Sequence, residues 1–184
     1  MKAQLIYLAG VPASGKSTLF RRLRAEFFGN AVEFKHGLLR GIETETNGKK
    51  LYMLGVFDGS TFEGTDRLSM AVINDALDWF EKVDPSATVF VEGDRLFNAR
   101  FLQTTSARLM IIDAAPAVLA QRHKKRGDSQ TETFLRSRRT KVNNILNRFS
   151  GIKVWQNNTA AEFERNYHIL KQFAKGSSNE VDKN

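Results

Sequence analysis

Gly10-Val11-Pro12-Ala13-Ser14-Gly15-Lys16-Ser17-Thr18 is the stretch on which the fold turns. It satisfies G-x-x-x-x-G-K-[ST] at every specified position, and its surroundings suit that pattern. Upstream, Gln4 to Ala9 is a continuous apolar run with Leu5, Ile6, Tyr7 and Leu8, as in a strand buried on both faces. Downstream, Leu19, Phe20, Leu23 and Phe27 recur at three- and four-residue steps, and Gly29-Asn30 closes the segment, as in an amphipathic helix. A glycine loop between strand and helix turns backbone N–H groups inward, and the helix adds the positive end of its dipole. Gly10, Ala13, Ser14, Gly15 and Thr18 are expected to wrap a row of phosphates. Lys16 would reach the β- and γ-oxygens, and the Ser17 hydroxyl would ligate Mg²⁺. The implied ligand is ATP or GTP with Mg²⁺.

Working outward, Asn47-Gly48 is a strong hairpin signal, because both residues tolerate the positive φ of a tight turn. It predicts an antiparallel hairpin, Gly41–Thr46 against Lys49–Phe57, whose second arm enters the core and delivers Asp58. A loop with Gly59, Ser60 and Gly64 then carries Glu63 and Asp66. Leu68 to Phe80 reads as a helix stopped near Asp84-Pro85. Thr88 to Val91 and Arg108 to Ile112 read as buried strands ending in Glu92 and Asp113. Pro116 opens a helix to Lys125 or Arg126. Thr131 to Phe149 is a long helix, Ile152 to Trp155 a strand and Ala160 to Ala174 a last helix. Strand–helix alternation predicts a three-layer α/β fold, a parallel sheet with helices on both faces. One domain over residues 1–175 would carry the hairpin as an insertion (about 38–57) and a basic lid (about 121–141), ahead of a flexible tail at 176–184.

The chain has 184 residues, no cysteine and a net charge of +8. The missing cysteine excludes disulfides, thiolate metal sites and a cysteine nucleophile. The apolar N-terminal run is too short to span a membrane, so a soluble cytoplasmic protein with no membrane partner is expected. Between Gln121 and Lys141 stand eight Lys or Arg against Asp128 and Glu132, which is +6 of the total +8. A patch this dense suits a polyanion, although a solvated helix face has the same composition. Arg122 and Arg126 lie four apart and so face the same way, with Arg122 a candidate for contacting the nucleotide. Arg136 and Arg139 share the polar face of the next helix, while Arg138 falls near its apolar seam and needs a polar cleft.

Short chain, glycine loop and acids at strand ends together resemble the nucleotide and nucleoside kinase branch of P-loop proteins. The D-x-x-G and N-K-x-D motifs of GTPases are both missing. In that branch an acid after a core strand takes the proton of the acceptor hydroxyl or serves Mg²⁺. Glu92-Gly93-Asp94-Arg95 looks like the E-R-S or D-R motifs found there, apart from its glycine. The resemblance implies Glu92 or Asp94 as base or Mg²⁺ partner, Arg95 as a phosphate clamp, and Arg126 as an arginine closing over the transferring group. Asp58 is a second candidate base, although turn chemistry alone would put Asp58-Gly59 there. Val56 to Val72, with Val91 to Phe97, resembles phage kinases that phosphorylate 5-hydroxymethyluracil within DNA. In that reading His36, Phe57, Phe62, Asp66, Arg67, Arg136 and Arg139 are candidates for contacting substrate, with the phenylalanines holding an extruded base. The basic lid and the hairpin tip, Lys49 and Lys50, make DNA with a modified base the expected partner. A kinase of free nucleosides, nucleotides or another small metabolite, and an ATP-switched DNA-binding module, are the alternatives.

Overall fold

The computed structural model describes residues 2–59, 63–127 and 130–176. A seven-stranded mixed sheet runs through its centre in the order β2-β3-β4-β5-β1-β6-β7. β1 (Gln4–Gly10) lies between β5 (Thr88–Glu92) and β6 (Arg108–Asp113), parallel to both. β4 (Lys49–Leu54) extends the parallel set on one side and β7 (Val154–Gln156) on the other. β2 (Val32–His36) and β3 (Leu39–Thr46) add two antiparallel strands at the β4 edge.

The Asn47-Gly48 turn is present, with both residues at positive φ. Its hairpin is continuous with the sheet, since β4 pairs in register with β5. Two elements carried no expectation. β2 is exposed along most of its length, so its apolar alternation is faint. The helix α3 (Ala99–Thr104) is only six residues long. The helix expected from Leu68 begins later, as α2 (Ile73–Lys82), because a 3-10 turn at Thr65–Arg67 takes up the preceding chain.

Period-2 alternation divides the strands between two cores. Leu5, Tyr7, Val89 and Val91 face α2, α3 and α5 (Glu132–Arg148). Ile6, Leu8, Phe90 and Met110 face α1 (Lys16–Phe27) and α6 (Ala160–Ala174). A smaller cluster seats α4 (Pro116–Arg126) on the glycine loop through Val11, Ala13, Ala114 and Leu119. These are the three layers expected. Burial is uneven among the helices. α6 buries five of its 15 residues and is held by a capping box, whereas α5 buries only Val142 and Ile145 of its 17. At about 1.5–3 kcal/mol per buried aliphatic side chain, apolar packing holds α5 weakly for its length. Among the described residues no helix is long and apolar enough to cross a membrane.

The parallel strands end side by side, so Gly10, Leu54, Glu92 and Asp113 share one edge of the sheet. β1 is the point where strand order reverses, and in open α/β sheets the ligand crevice forms there.

Candidate active site

The loop after β1 owes its shape to glycine. Gly10 has φ +143, and a Cβ there would lie 1.9 Å from the Ile112 carbonyl oxygen on neighbouring β6. Only a residue without a side chain lets β1 turn away at that height. Ala13 takes φ +62, a left-handed strain held in place by α4 packing on it. Ser14 is fully buried and its N–H donates to the Val11 carbonyl, 3.3 Å. Lys16 Nζ donates to the same Val11 carbonyl at 2.8 Å and lies 3.5 Å from Ser14 Oγ. Burial lowers its pKa, opposed by Glu92 and Asp66 and assisted by Arg126.

Two supports beneath the loop were not foreseen. Arg122 of α4 donates through Nη1 to the Ala13 and Ser14 carbonyls, 3.3 Å each, and through Nη2 to the Asn157 carbonyl, 2.7 Å. Asn157, just past β7, is buried and donates from Nδ2 to the Ser14 carbonyl at 2.7 Å. Arg122 therefore holds the loop's backbone, where the sequence suggested contact with the nucleotide itself. Asn157 left a faint signal, an Asn-Asn pair between a strand and the Thr159 helix cap.

Glu92 ends β5, where its backbone is level with Leu8 of β1. It is 7% exposed, and Ser17 Oγ at the start of α1 donates to its Oε1 at 3.1 Å. Burial raises its pKa; Lys16 pulls it back and Asp66 pushes it further up. Gly93, the residue that fits neither kinase motif, now has a reason. Its φ is +111, and a Cβ would meet Thr65 Oγ1 at 2.4 Å and Asp66 Oδ1 at 3.0 Å. The 3-10 turn lies directly on Glu92-Gly93-Asp94, with Thr65 Oγ1 donating to the Glu92 carbonyl (2.8 Å) and Asp66 Oδ1 accepting from the Asp94 N–H (2.6 Å). The repeated Asp-Arg-Leu triplets at 66–68 and 94–96 thus cross-link two adjoining loops, Arg95 Nε adding a bond to the Leu68 carbonyl at 2.9 Å. Tyr7 completes the cluster with its hydroxyl on the Gly93 carbonyl, 2.8 Å.

Asp94 is committed to the lid. Arg138 pairs with its Oδ2, and Lys141 with its Oδ1 at 2.8 Å. Arg138 has found the polar cleft its position demanded. Arg139 adds a looser pair to Asp113, 3.6 Å. Arg126, one turn further along α4 than Arg122, is near enough to Lys16 to help lower its pKa. Arg136 instead pairs with Glu132 at 3.5 Å on the exposed face of α5.

The remaining candidates lie toward the β4 edge. Asp58 pairs with Arg67 at 2.5 Å in a cleft beside Val56 and Leu68. Phe57, past the end of β4, instead packs on Phe20 and Arg24 of α1. His36 is paired with Asp78 of α2, 2.6 Å. Phe62, Ser60, Asp128 and the tail from residue 177 lie outside the described residues.

The Ser17 hydroxyl and Glu92 carboxylate, side by side at the loop, are the hard oxygen donors that Mg²⁺ takes alongside substrate phosphates. Glycine loop, Lys16, buried Glu92 and the basic helices α4 and α5 lie together at the C-terminal ends of the central strands. Residues 1–162 match the family model described as P-loop Nucleotide Kinase3. No match among curated proteins accompanies it. The match covers most of the chain, and with the crevice it leads to one conclusion: the chain belongs to the P-loop Nucleotide Kinase3 family.

Proposed function

We propose that this kinase moves the γ-phosphoryl group of ATP or GTP onto an acceptor hydroxyl, and that the acceptor is the hydroxymethyl group of 5-hydroxymethyluracil in DNA. The observation that carries the transfer step is Glu92: a carboxyl buried beside Lys16, bonded to Ser17 and raised in pKa toward the working range of a general base. The hydroxyl oxygen attacks the γ-phosphorus, the bond to the β,γ-bridging oxygen breaks, and the hydroxyl proton passes to Glu92. Lys16 and Arg126 offset charge on the transferring group. Mg²⁺ held by the Ser17 hydroxyl would neutralise phosphate charge, leaving Glu92 to take the proton. The choice of a DNA acceptor is supported by the +8 net charge, by its concentration on α4 and α5, and by the resemblance of residues 56–72 and 91–97 to phage DNA-base kinases.

The test offers γ-labelled ATP with hydroxymethylated DNA, plain DNA and free nucleosides or nucleotides. Label on the hydroxymethylated DNA alone is expected. Label confined to free nucleosides, nucleotides or another small metabolite overturns the DNA acceptor, and hydrolysis without any labelled acceptor overturns the transferase in favour of a nucleotide-switched DNA-binding module.

A further inference from the structure

At the β4 edge a cleft of about 390 Å³ opens between the β2–β3 turn and Val56, Asp58 and Arg67 to Ser69. Its walls carry three cations, Lys35, Arg40 and Arg67, against one acid, Asp58, which pairs with Arg67. Lys35 and Arg40 are directly opposite each other in the antiparallel register of β2 and β3. Like charges in that position work against the sheet, and nothing in the fold calls for them. Both are exposed, and among the described residues neither makes an ion pair. An anion between them would reverse the sign of that interaction.

The wall is held rigid. Asp75 of α2 accepts from the Leu38 N–H at the turn, 2.6 Å, and Asp78 holds His36 at 2.6 Å. The Arg40 carbonyl accepts from the Gly55 N–H at 2.9 Å. The backbone that carries Lys35 and Arg40 is thereby braced, so both cations are presented to one cleft from a firm sheet edge. On the same wall Leu38 is 47% exposed, and Met70, next in sequence to the lining Ser69, is 75% exposed. Bare phosphate has no use for that surface, whereas the sugars and bases of a strand do.

Position separates this site from the nucleotide. β3 is three places from β1 in the sheet, about 14 Å at the usual strand spacing of about 4.8 Å. The acceptor hydroxyl has to reach Glu92 on β5, two places from β3. An anion at Lys35 and Arg40 is therefore neither the γ-phosphate nor next to the reacting oxygen, which points to an extended acceptor.

Resting on the reading of DNA as the acceptor, we propose that this cleft binds the sugar–phosphate backbone of the acceptor strand away from the reacting nucleotide. Lys35 and Arg40 hold phosphates there, and Leu38 and Met70 cover the adjoining sugars and bases.

The experiment is fluorescence anisotropy of an unmodified single-stranded oligonucleotide of about 16 nucleotides, without ATP. Wild type is compared with the Lys35→Gln/Arg40→Gln double variant. Affinity should fall about tenfold, and the slope of log affinity against log salt should shrink by about 1.4, as for two lost single-strand phosphate contacts. Affinity for a fluorescent ATP analogue should stay unchanged, and Tm should hold or rise. Equal oligonucleotide affinity and slope in the two proteins overturns the proposal. So does an oligonucleotide affinity that is unchanged while binding of thymidine monophosphate is lost, which would make this a single-phosphate site. The two readings fail separately. If hydroxymethylated DNA is never labelled but the double variant still loses oligonucleotide binding, the acceptor falls and the cleft stands. If the double variant binds oligonucleotide and labels hydroxymethylated DNA as wild type does, the cleft falls and the acceptor stands.

Discussion

The nucleotide end and the hairpin end of the same sheet edge are built on opposite principles. Around β1 and β5 the side chains, several of them buried, are bonded to the backbone or to each other: Lys16 to the Val11 carbonyl, Ser17 to Glu92, Asn157 to the Ser14 carbonyl, Tyr7 to the Gly93 carbonyl. Shape comes from backbone, and Gly10 and Gly93 stand where any Cβ would collide. At the β2–β3 edge the backbone is ordinary antiparallel sheet, and the character lies in exposed charge, with Lys35 facing Arg40. The first region is made for one ligand of fixed form. The second is made for charge, and it tolerates variety in what carries that charge.

The contrast breaks most sharply at Glu92. Glu92→Gln keeps the acceptor for Ser17 Oγ but removes the proton acceptor, so turnover should fall by about 10²–10⁴ while nucleotide affinity is spared. The wild-type acid limb of kcat/KM should lie above the ordinary glutamate range, because burial raises this carboxyl, and the limb should vanish in the variant. If the limb persists, the base is elsewhere, with Asp58 next in line. Stability should move the other way. A carboxyl whose pKa is raised on folding favours the fold fully below its unfolded value, about 4.3, and that contribution is lost as pH rises through the folded value. Glu92→Gln should therefore raise Tm at neutral pH and lose this advantage below about pH 4. Thermal melts across pH check the sign.

Lys16→Ala should cost about 10²–10³ in kcat/KM, the range for removing one preorganised donor to developing charge. Steady-state kinetics beside Glu92→Gln would show whether the two losses multiply. Because Lys16 and Glu92 influence each other's protonation, the double variant should lose less than the product of the singles. Full multiplication would separate them into independent sites.

Legibility in the sequence follows the same divide. The glycine loop could be read because its backbone admits few residues, and Asn47-Gly48 because positive φ does the same. Glu92 was found because a strand that is apolar throughout ends on it. The glycine after it had no explanation until Thr65 and Asp66 were seen lying on it, a contact between residues about 28 apart that no local pattern encodes. Tyr7 passed as one more apolar residue of β1, and its hydroxyl bond to Gly93 joins residues 86 apart in the sequence. Arg122 showed its helix face but not its target, which is the loop's own carbonyls. Lys35 and Arg40 were ordinary surface charges until the register of β2 and β3 set them face to face.

The lid tests an intermediate case, since α5 has little apolar burial and leans on Asp94. Asp94→Ala leaves Arg138 and Lys141 without their shared partner in a partly buried cleft. A loss of about 1–2 kcal/mol is expected, tempered by solvent screening, with Tm lowered by about 2–4 °C for each kcal/mol. Amide exchange should quicken along α5 before the sheet, and turnover should drop about tenfold as α5 loses its anchor beside Glu92. Uniform exchange across α5 and β1 would instead make Asp94 a general stabiliser.

The smallest effect discriminates best between the two ends. Lys35→Glu replaces a like-charged cross-strand pair with an opposite one across from Arg40, and such pairs are worth about 0.2–1 kcal/mol. Among these substitutions it is the one that should both stabilise the fold and weaken its engagement with the acceptor. Glu92→Gln also relieves a strained group, yet it leaves the acceptor's hold untouched. A rise in Tm of about 1–3 °C is expected, within reach of differential scanning calorimetry and best seen at low salt, where exposed charges are least screened. A fall in Tm would mean that Lys35 and Arg40 are reconciled by the fold itself, and the hairpin end would then be structural, like the nucleotide end.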